Sequence, residues 1–184
     1  MKRREFLSTS ALAPAAMMGA VLPASAASHS TALPVVQTHT VGAAKVTAIS
    51  DGFLPIGPEA LQGVDAQTYA ARLAEAHITA EQHPTGVNAF LIETGDARVL
   101  VDAGTGAIMG PTLGALGASM AAIGVDPASI THLVATHLHP DHVGGVLVDG
   151  QNVFSGAELI VSANDVAFWT APDVKAGAPE GFHS

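Results

Sequence analysis

The chain has 184 residues, 48% hydrophobic and 12% charged, which suits one domain with a sizeable core and excludes a disordered polymer. It has no cysteine, so disulfide frameworks and thiolate metal sites are excluded, and any metal chemistry has to come from His, Asp and Glu. A formal charge of −9 argues against nucleic acid as a partner, because neutralising phosphates takes Lys and Arg.

Lys2-Arg3-Arg4-Glu5-Phe6-Leu7 opens the chain with a basic patch and paired arginines. A mildly apolar run extends from Ser8 to Leu22, then comes a small-residue site at Ala24-Ser25-Ala26. Residues 1–26 are expected to be a cleaved bacterial signal of the twin-arginine type, which exports folded proteins and implies a periplasmic or secreted product. The competing reading is a membrane anchor. The run is rich in alanine and broken by Pro14 and Gly19, so no stable anchor is expected. Without Lys2, Arg3, Arg4 and Glu5 the remainder keeps 4 basic and 15 acidic residues, and the balance turns further against nucleic acid. It says nothing about neutral small molecules.

Residues 27–33 are small and polar, a flexible lead-in to a domain expected over 34–184. Residues 34–40 and 44–50 alternate with period two and predict an antiparallel hairpin across Val41-Gly42. Asp51-Gly52 predicts a turn, and Phe53 to Pro58 an apolar loop. Asp65 to His77 has an acidic cap and helix-forming residues throughout, hence a helix. His77 and His83, isolated among polar residues, are expected to be solvated rather than ligands. Val87 to Glu93 and Arg98 to Asp102 predict two strands joined by Thr94-Gly95-Asp96-Ala97.

Ala103-Gly104-Thr105-Gly106 comes directly after, but its spacing matches neither a Walker loop nor a dinucleotide fingerprint. Asp102 is better used as an acceptor that orients a metal-bound imidazole or its loop, the alternative being a solvated turn residue. Leu113, Leu116, Met120 and Ile123 fall at helical spacing over 112–124, with Gly124 as the cap. Asp126-Pro127 starts one short turn, and the apolar run His132-Leu133-Val134-Ala135 is a buried strand. Strand, helix, strand is a βαβ arrangement, which places residues from 136 onward at the carboxyl end of a strand.

That strand end carries Thr136-His137-Leu138-His139-Pro140-Asp141-His142-Val143-Gly144-Gly145. Three imidazoles and a carboxylate lie within six residues. Strand alternation is expected to put His137 and His139 on one side, with Pro140 ending the strand before Asp141 and His142. Left unpaired, such a cluster of polar groups at a strand end would cost on the order of several kcal/mol, which a bound cation would remove. Beyond it, Glu158 to Ser162 predicts a strand and Asn164 to Trp169 a helix capped by Asn or Asp.

The run THLHPDHVGG resembles the HxHxDH signature of the metallo-β-lactamase fold hydrolases. Asp51-Gly52, Asn88 to Ile92, Val99 to Gly104 and Ile130-Thr131-His132 lie in the order that fold uses for its N-terminal half. Details around Gly110 to Gly114, Pro140 to Gly145 and Val166 to Trp169 look most like the exported methyl parathion hydrolase branch. The resemblance implies a mixed α/β fold, the N-terminal half of an αββα sandwich. It implies His137 and His139 as ligands of a first metal, Asp141 and His142 as ligands of a second, and Asp141 as the candidate catalytic carboxylate. Two divalent ions are implied, zinc first, with manganese, iron or cobalt as alternatives. They would generate a hydroxide to attack an ester, lactone or phosphotriester.

Phe168 and Trp169 resemble residues lining the leaving-group pocket, and Met109 stands where that branch has an aromatic. The alternative for Trp169 is a core helix residue. The fold also needs ligands from a second half, and nothing after His142 supplies them, so the sequence is expected to be a fragment or a truncated product of low activity. The partners expected are a small-molecule substrate and the twin-arginine export machinery, with a homodimer allowed. A metal-binding periplasmic protein without catalysis is the rival from another class, and a nuclease is disfavoured by charge and export.

Overall fold

The structure, a computed structural model, describes residues 36–79 and 82–177. The signal, the lead-in, Pro34, Val35 and His183 lie outside these residues. The elements run β1 (Val36–Val41), β2 (Ala44–Ile56), α1 (Ala66–Glu75), β3 (His83–Thr94), β4 (Ala97–Val101), α2 (Leu116–Ala122), β5 (His132–Val134), α3 (Pro140–Val143), β6 (Leu147–Val148), β7 (Gln151–Asn152), β8 (Glu158–Ile160), α4 (Ala163–Trp169) and α5 (Pro172–Gly177). Short 3-10 turns lie at Pro58–Ala60, Pro127–Ser129 and Gly144–Val146. No helix among the described residues is long and apolar enough to cross a membrane.

Six strands form one sheet in the order β1-β2-β3-β4-β5-β8, and β6 and β7 pair separately. The first four are antiparallel neighbours, while β4-β5 and β5-β8 are parallel. The change of direction has a simple cause. Tight turns at Gly42 and Gly95, both with positive φ, return the chain antiparallel, whereas α2 carries it back over the sheet to start β5 parallel to β4. The expected βαβ unit is therefore β4-α2-β5.

Alternation separates two faces. Thr47, Ile49, Ala89, Leu91, Leu100 and Leu133 point to one side and are buried with Leu116 and Met120 of α2, Val125, Ile130 and Phe154. Each fully buried Leu or Met here contributes about 1.5–3 kcal/mol. The other face carries Ala48, Phe90, Ile92, Val101 and Val134, joined by cross-strand pairing, and Phe90 is 42% exposed. The architecture is thus one α/β layer, with helix packing on one face of a largely antiparallel sheet.

Several boundaries differ from expectation. Asp51-Gly52 is not a turn, because β2 runs through it to Ile56 and takes up the apolar loop expected at Phe53. The pairing with β3 shifts by one residue between Ser50 and Gly52, so the dipeptide makes a bulge. Gly52, at φ 128°, is needed there because a side chain would collide with the Thr112 carbonyl, which accepts the Phe53 N–H at 3.0 Å. β3 starts at His83, four residues early. The Tyr69 hydroxyl donates to the Ile56 carbonyl and accepts the His83 N–H (2.7 Å), pinning both strand ends under α1.

The helix expected over 112–124 shrinks to Leu116–Ala122, because Gly114 takes φ 84° and its N–H and that of Leu116 bond to Asp51 instead of a helix. Helix α4 is capped by Ser162, ahead of the expected Asn or Asp. Helix α1 starts as expected, with Asp65 accepting the Thr68 N–H at 2.7 Å, and that bond holds its carboxyl below the usual range.

Candidate metal centre

β5 ends at Val134, so His137 and His139 sit on an irregular turn rather than on alternating strand positions. Pro140 does not merely stop a strand. It opens the four-residue α3, with His139 as the capping residue in extended conformation. The turn brings the four predicted ligands together in a different way from simple alternation. His137 Nε2 and His139 Nδ1 are 2.9 Å apart, and His142 Nε2 and Asp141 Oδ2 are 3.2 Å apart. The His137 and His142 rings lie 4.0 Å apart, centre to centre.

Asp102 holds this turn from behind. It follows β4 directly with φ 63°, a left-handed conformation Asp tolerates better than branched residues, and it is only 6% exposed. It is therefore not a solvated turn residue. Its backbone N–H donates to Val134 O (2.9 Å), and its carboxylate accepts from Thr136 N (2.8 Å), Thr136 Oγ1 (3.0 Å) and His142 Nδ1 (2.8 Å).

Counting protons identifies what faces inward. His142 donates Nδ1–H to Asp102, so its Nε2 presents a lone pair to the Asp141 carboxylate. The Thr136 hydroxyl spends its one proton on Asp102, so it accepts from His137 Nδ1 at 3.2 Å and leaves His137 Nε2 as a lone pair toward His139. Between His142 and Asp141 two acceptors face each other, an arrangement that a cation placed between them would satisfy directly. Two ligand atoms about 2.0–2.1 Å from a tetrahedral zinc stand ~3.3 Å apart, close to both separations. The donors fit a divalent cation as two N/N and N/O pairs. Among the described residues, no three His, Asp or Glu side chains converge on one point, so neither pair is a closed cage.

Trp169, half-buried on α4, stands edge-on to His139 at 5.6 Å, so it borders the cluster and is not a core residue. Phe168 packs at right angles to it (5.3 Å) but is 57% exposed. Asp165, on the same helix, accepts the Leu138 N–H at 3.3 Å, tying α4 to the turn. Met109 is half-buried, and no contact joins it to Trp169 or to the cluster among the described residues. His77 and His83 are exposed and away from the cluster, as expected of solvated histidines.

Sequence reasoning missed Asp51. Its side chain is fully buried and accepts four bonds: from Thr105 N (2.9 Å), Thr105 Oγ1 (2.7 Å), Gly114 N (3.2 Å) and Leu116 N (2.9 Å). One signal was available. Asp51 is in phase with Thr47 and Ile49, the inward positions of the same strand.

The sheet and the paired imidazole–carboxylate turn resemble those of metallo-β-lactamase fold proteins. Residues 84–148 match the family model "Metallo-beta-lactamase superfamily". Over 58 residues the chain is 43% identical to metallo-beta-lactamase domain-containing protein 1 of Xenopus laevis, covering 30% of this chain and 23% of that protein. Over 85 residues it is 38% identical to a metal-dependent hydrolase of Mesorhizobium japonicum, covering 42% and 28%. Among solved structures, the hydrolase AbOPH of the beta lactamase superfamily superposes with TM-score 0.71 at 31% identity, over 78% of this chain and 50% of that one. The dizinc quorum-quenching lactonase AidC shares the fold, with TM-score 0.70 at 23% identity over 74% and 48%. The described sheet matches the fold of these neighbours, and residues 84–148 carry the match to the family model. The chain spans about a quarter of the length of these two curated relatives and about half that of these two solved structures.

Proposed function

We propose that the chain serves a metal-dependent hydrolase acting on an ester, lactone or phosphotriester, as an exported relative of the methyl parathion hydrolase branch. The observation that supports it best is the His142 Nε2 lone pair facing the Asp141 carboxylate at 3.2 Å with Nδ1 committed to Asp102. A nitrogen so oriented is ready for a metal and badly placed without one. His137 and His139 would hold one divalent cation, zinc first among the candidates, and Asp141 and His142 a second. When bound, such cations would acidify a water and polarise a carbonyl or phosphoryl oxygen.

The chain's own residues do the rest. Asp102 fixes the His142 tautomer, Thr136 fixes that of His137, and Asp141 offers its carboxylate as a proton acceptor beside the cluster. Trp169, edge-on to His139 and packed against Phe168, offers an apolar flank on the His139 side that suits an aryl or acyl group. Each pair falls short of the three protein ligands a catalytic zinc ordinarily keeps. That shortfall favours slow turnover by these residues alone, and it also favours the second reading, a metal-binding protein without catalysis. Both readings carry the export proposal, which N-terminal sequencing of periplasmic protein tests, with cleavage after Ala26 as the expected result.

The deciding experiment measures bound zinc after equilibrium dialysis, and rates on a p-nitrophenyl ester, a lactone and a phosphotriester, for wild type, His139→Ala and His142→Ala. Zinc uptake lost in both variants, with a parallel loss of rate, supports the hydrolase. Uptake without any rate supports the binding protein, and no uptake by wild type sinks both.

A further inference from the structure

We propose that Asp51 is a positioning residue for the metal centre, holding through Thr105 the loop that aims Asp102 at His142. The inference rests on the reading of His142 as a ligand, but its geometry is independent of any metal. Asp51 sits on β2, a strand that carries none of the cluster residues, and the connection runs through one buried segment, Asp102 to Gly106.

On its inner side, that segment gives Asp51 two bonds from Thr105, through N–H at 2.9 Å and Oγ1 at 2.7 Å. On its outer side, it makes five attachments to the end of β5 and the cluster turn. Asp102 N bonds to Val134 O (2.9 Å), the Asp102 carboxylate to Thr136 and His142, Ala103 N to His142 O (2.7 Å), and Gly104 O to Gly145 N (3.0 Å). Asp51 also accepts from Gly114 and Leu116, and its carbonyl from Ala115 (2.9 Å), so it closes the far end of the same loop at the start of α2.

No slack is left in between. A Cβ on Gly104 would come within 2.6 Å of the Asp51 carboxylate, and one on Gly145 would collide with the Ala103 carbonyl. Loop 102–106 is thus clamped between the Asp51 carboxylate and the backbone of the cluster turn. The left-handed Asp102, whose carboxylate direction sets the His142 tautomer, has its position decided by the residues just after it in the same loop. What distinguishes Asp51 is the origin of its donors, all from Thr105, Gly114 and Leu116, the stretch that begins on the loop behind the cluster.

Thr105→Val tests this with the least damage to the fold, since it keeps the shape and removes only the hydroxyl donor. Thr105→Ser is the rescue, and Leu73→Ala, under α1 and away from the loop, is a control for general loss of stability. The first readout is the His142 Nδ1–H resonance in metal-free, histidine-labelled full chain. The second is zinc affinity by titration. The expected result is a broadened or fast-exchanging His142 Nδ1–H and an affinity weakened about tenfold in Thr105→Val. Thr105→Ser restores both, and Leu73→Ala changes neither at an equal loss of melting temperature. An unchanged His142 signal in Thr105→Val overturns the inference whatever zinc does, and so does an equal change in Leu73→Ala. If wild type binds no zinc, the hydrolase and metal-binding readings fall, while the His142 signal still decides this one.

Discussion

The Asp51 pocket and the His137–His142 turn lie on opposite sides of one loop, and they are polar in opposite ways. Around Asp51, four donors meet two carboxylate oxygens, and the buried carboxylate has all its bonds within the protein. On the turn, in a half-exposed setting, the His142 Nε2 lone pair faces the Asp141 carboxylate at 3.2 Å. The first arrangement adds stability by itself. The second leaves acceptor atoms free to meet a ligand, and that marks it as the candidate site rather than the scaffold.

Substitutions can break this contrast from either side. The largest effect is expected from Asp51→Asn, which turns an amide donor toward N–H groups that need an acceptor. It should cost about 2–4 kcal/mol in chemical denaturation, with zinc affinity falling alongside. Asp102→Asn comes next. Asn accepts the left-handed backbone, so little stability is lost, but the acceptor for His142 Nδ1–H is weakened and zinc affinity should fall about 10–100-fold by titration. If Asp102→Asn instead unfolded the protein while keeping its affinity, the division into scaffold and site would be wrong.

Gly145→Ala forces a methyl group against the Ala103 carbonyl and should cost about 1–3 kcal/mol by thermal melting, because loop and turn must part. The smallest effect lies at Glu93, away from both regions. Lys45, and then Arg98, lower its carboxyl below the usual range. A lowered folded value means the contribution is present above an unfolded pKa of about 4.3 and is lost as pH falls through the folded value. Glu93→Gln should therefore lower stability by under about 1 kcal/mol at neutral pH, with the gap closing in strong acid. A gap that widened in acid would reverse the sign.

Much of this was legible in the residues. The hairpins, α1, the βαβ crossover and the clustering of His and Asp on the turn announce themselves through period, caps and side-chain chemistry. Asp102 was placed by its position at a strand end beside the cluster. The rest required contacts distant in sequence. Asp51-Gly52 has the composition of a turn, and only the loop docking from residues 105–116 turns it into a bulge inside a long strand. The helix over 112–124 had the right spacing, but Asp51 captures the amide of Leu116 and so delays its start. The histidine pairs could not be reached from strand alternation, because the strand ends at Val134 and the turn sets their separation.

Gly144 and Gly145 let two backbones touch, with the Gly145 N–H on Gly104 O and a Cβ on Gly144 placed 2.9 Å from Ile108. Surfaces in such contact have no room to slide, so the turn and loop 102–106 are expected to open only together, as one cooperative unit in hydrogen exchange. Thr136, Gly145 and Thr105 amides should then report the same opening free energy, although one belongs to the turn's exposed crest and another to its buried root.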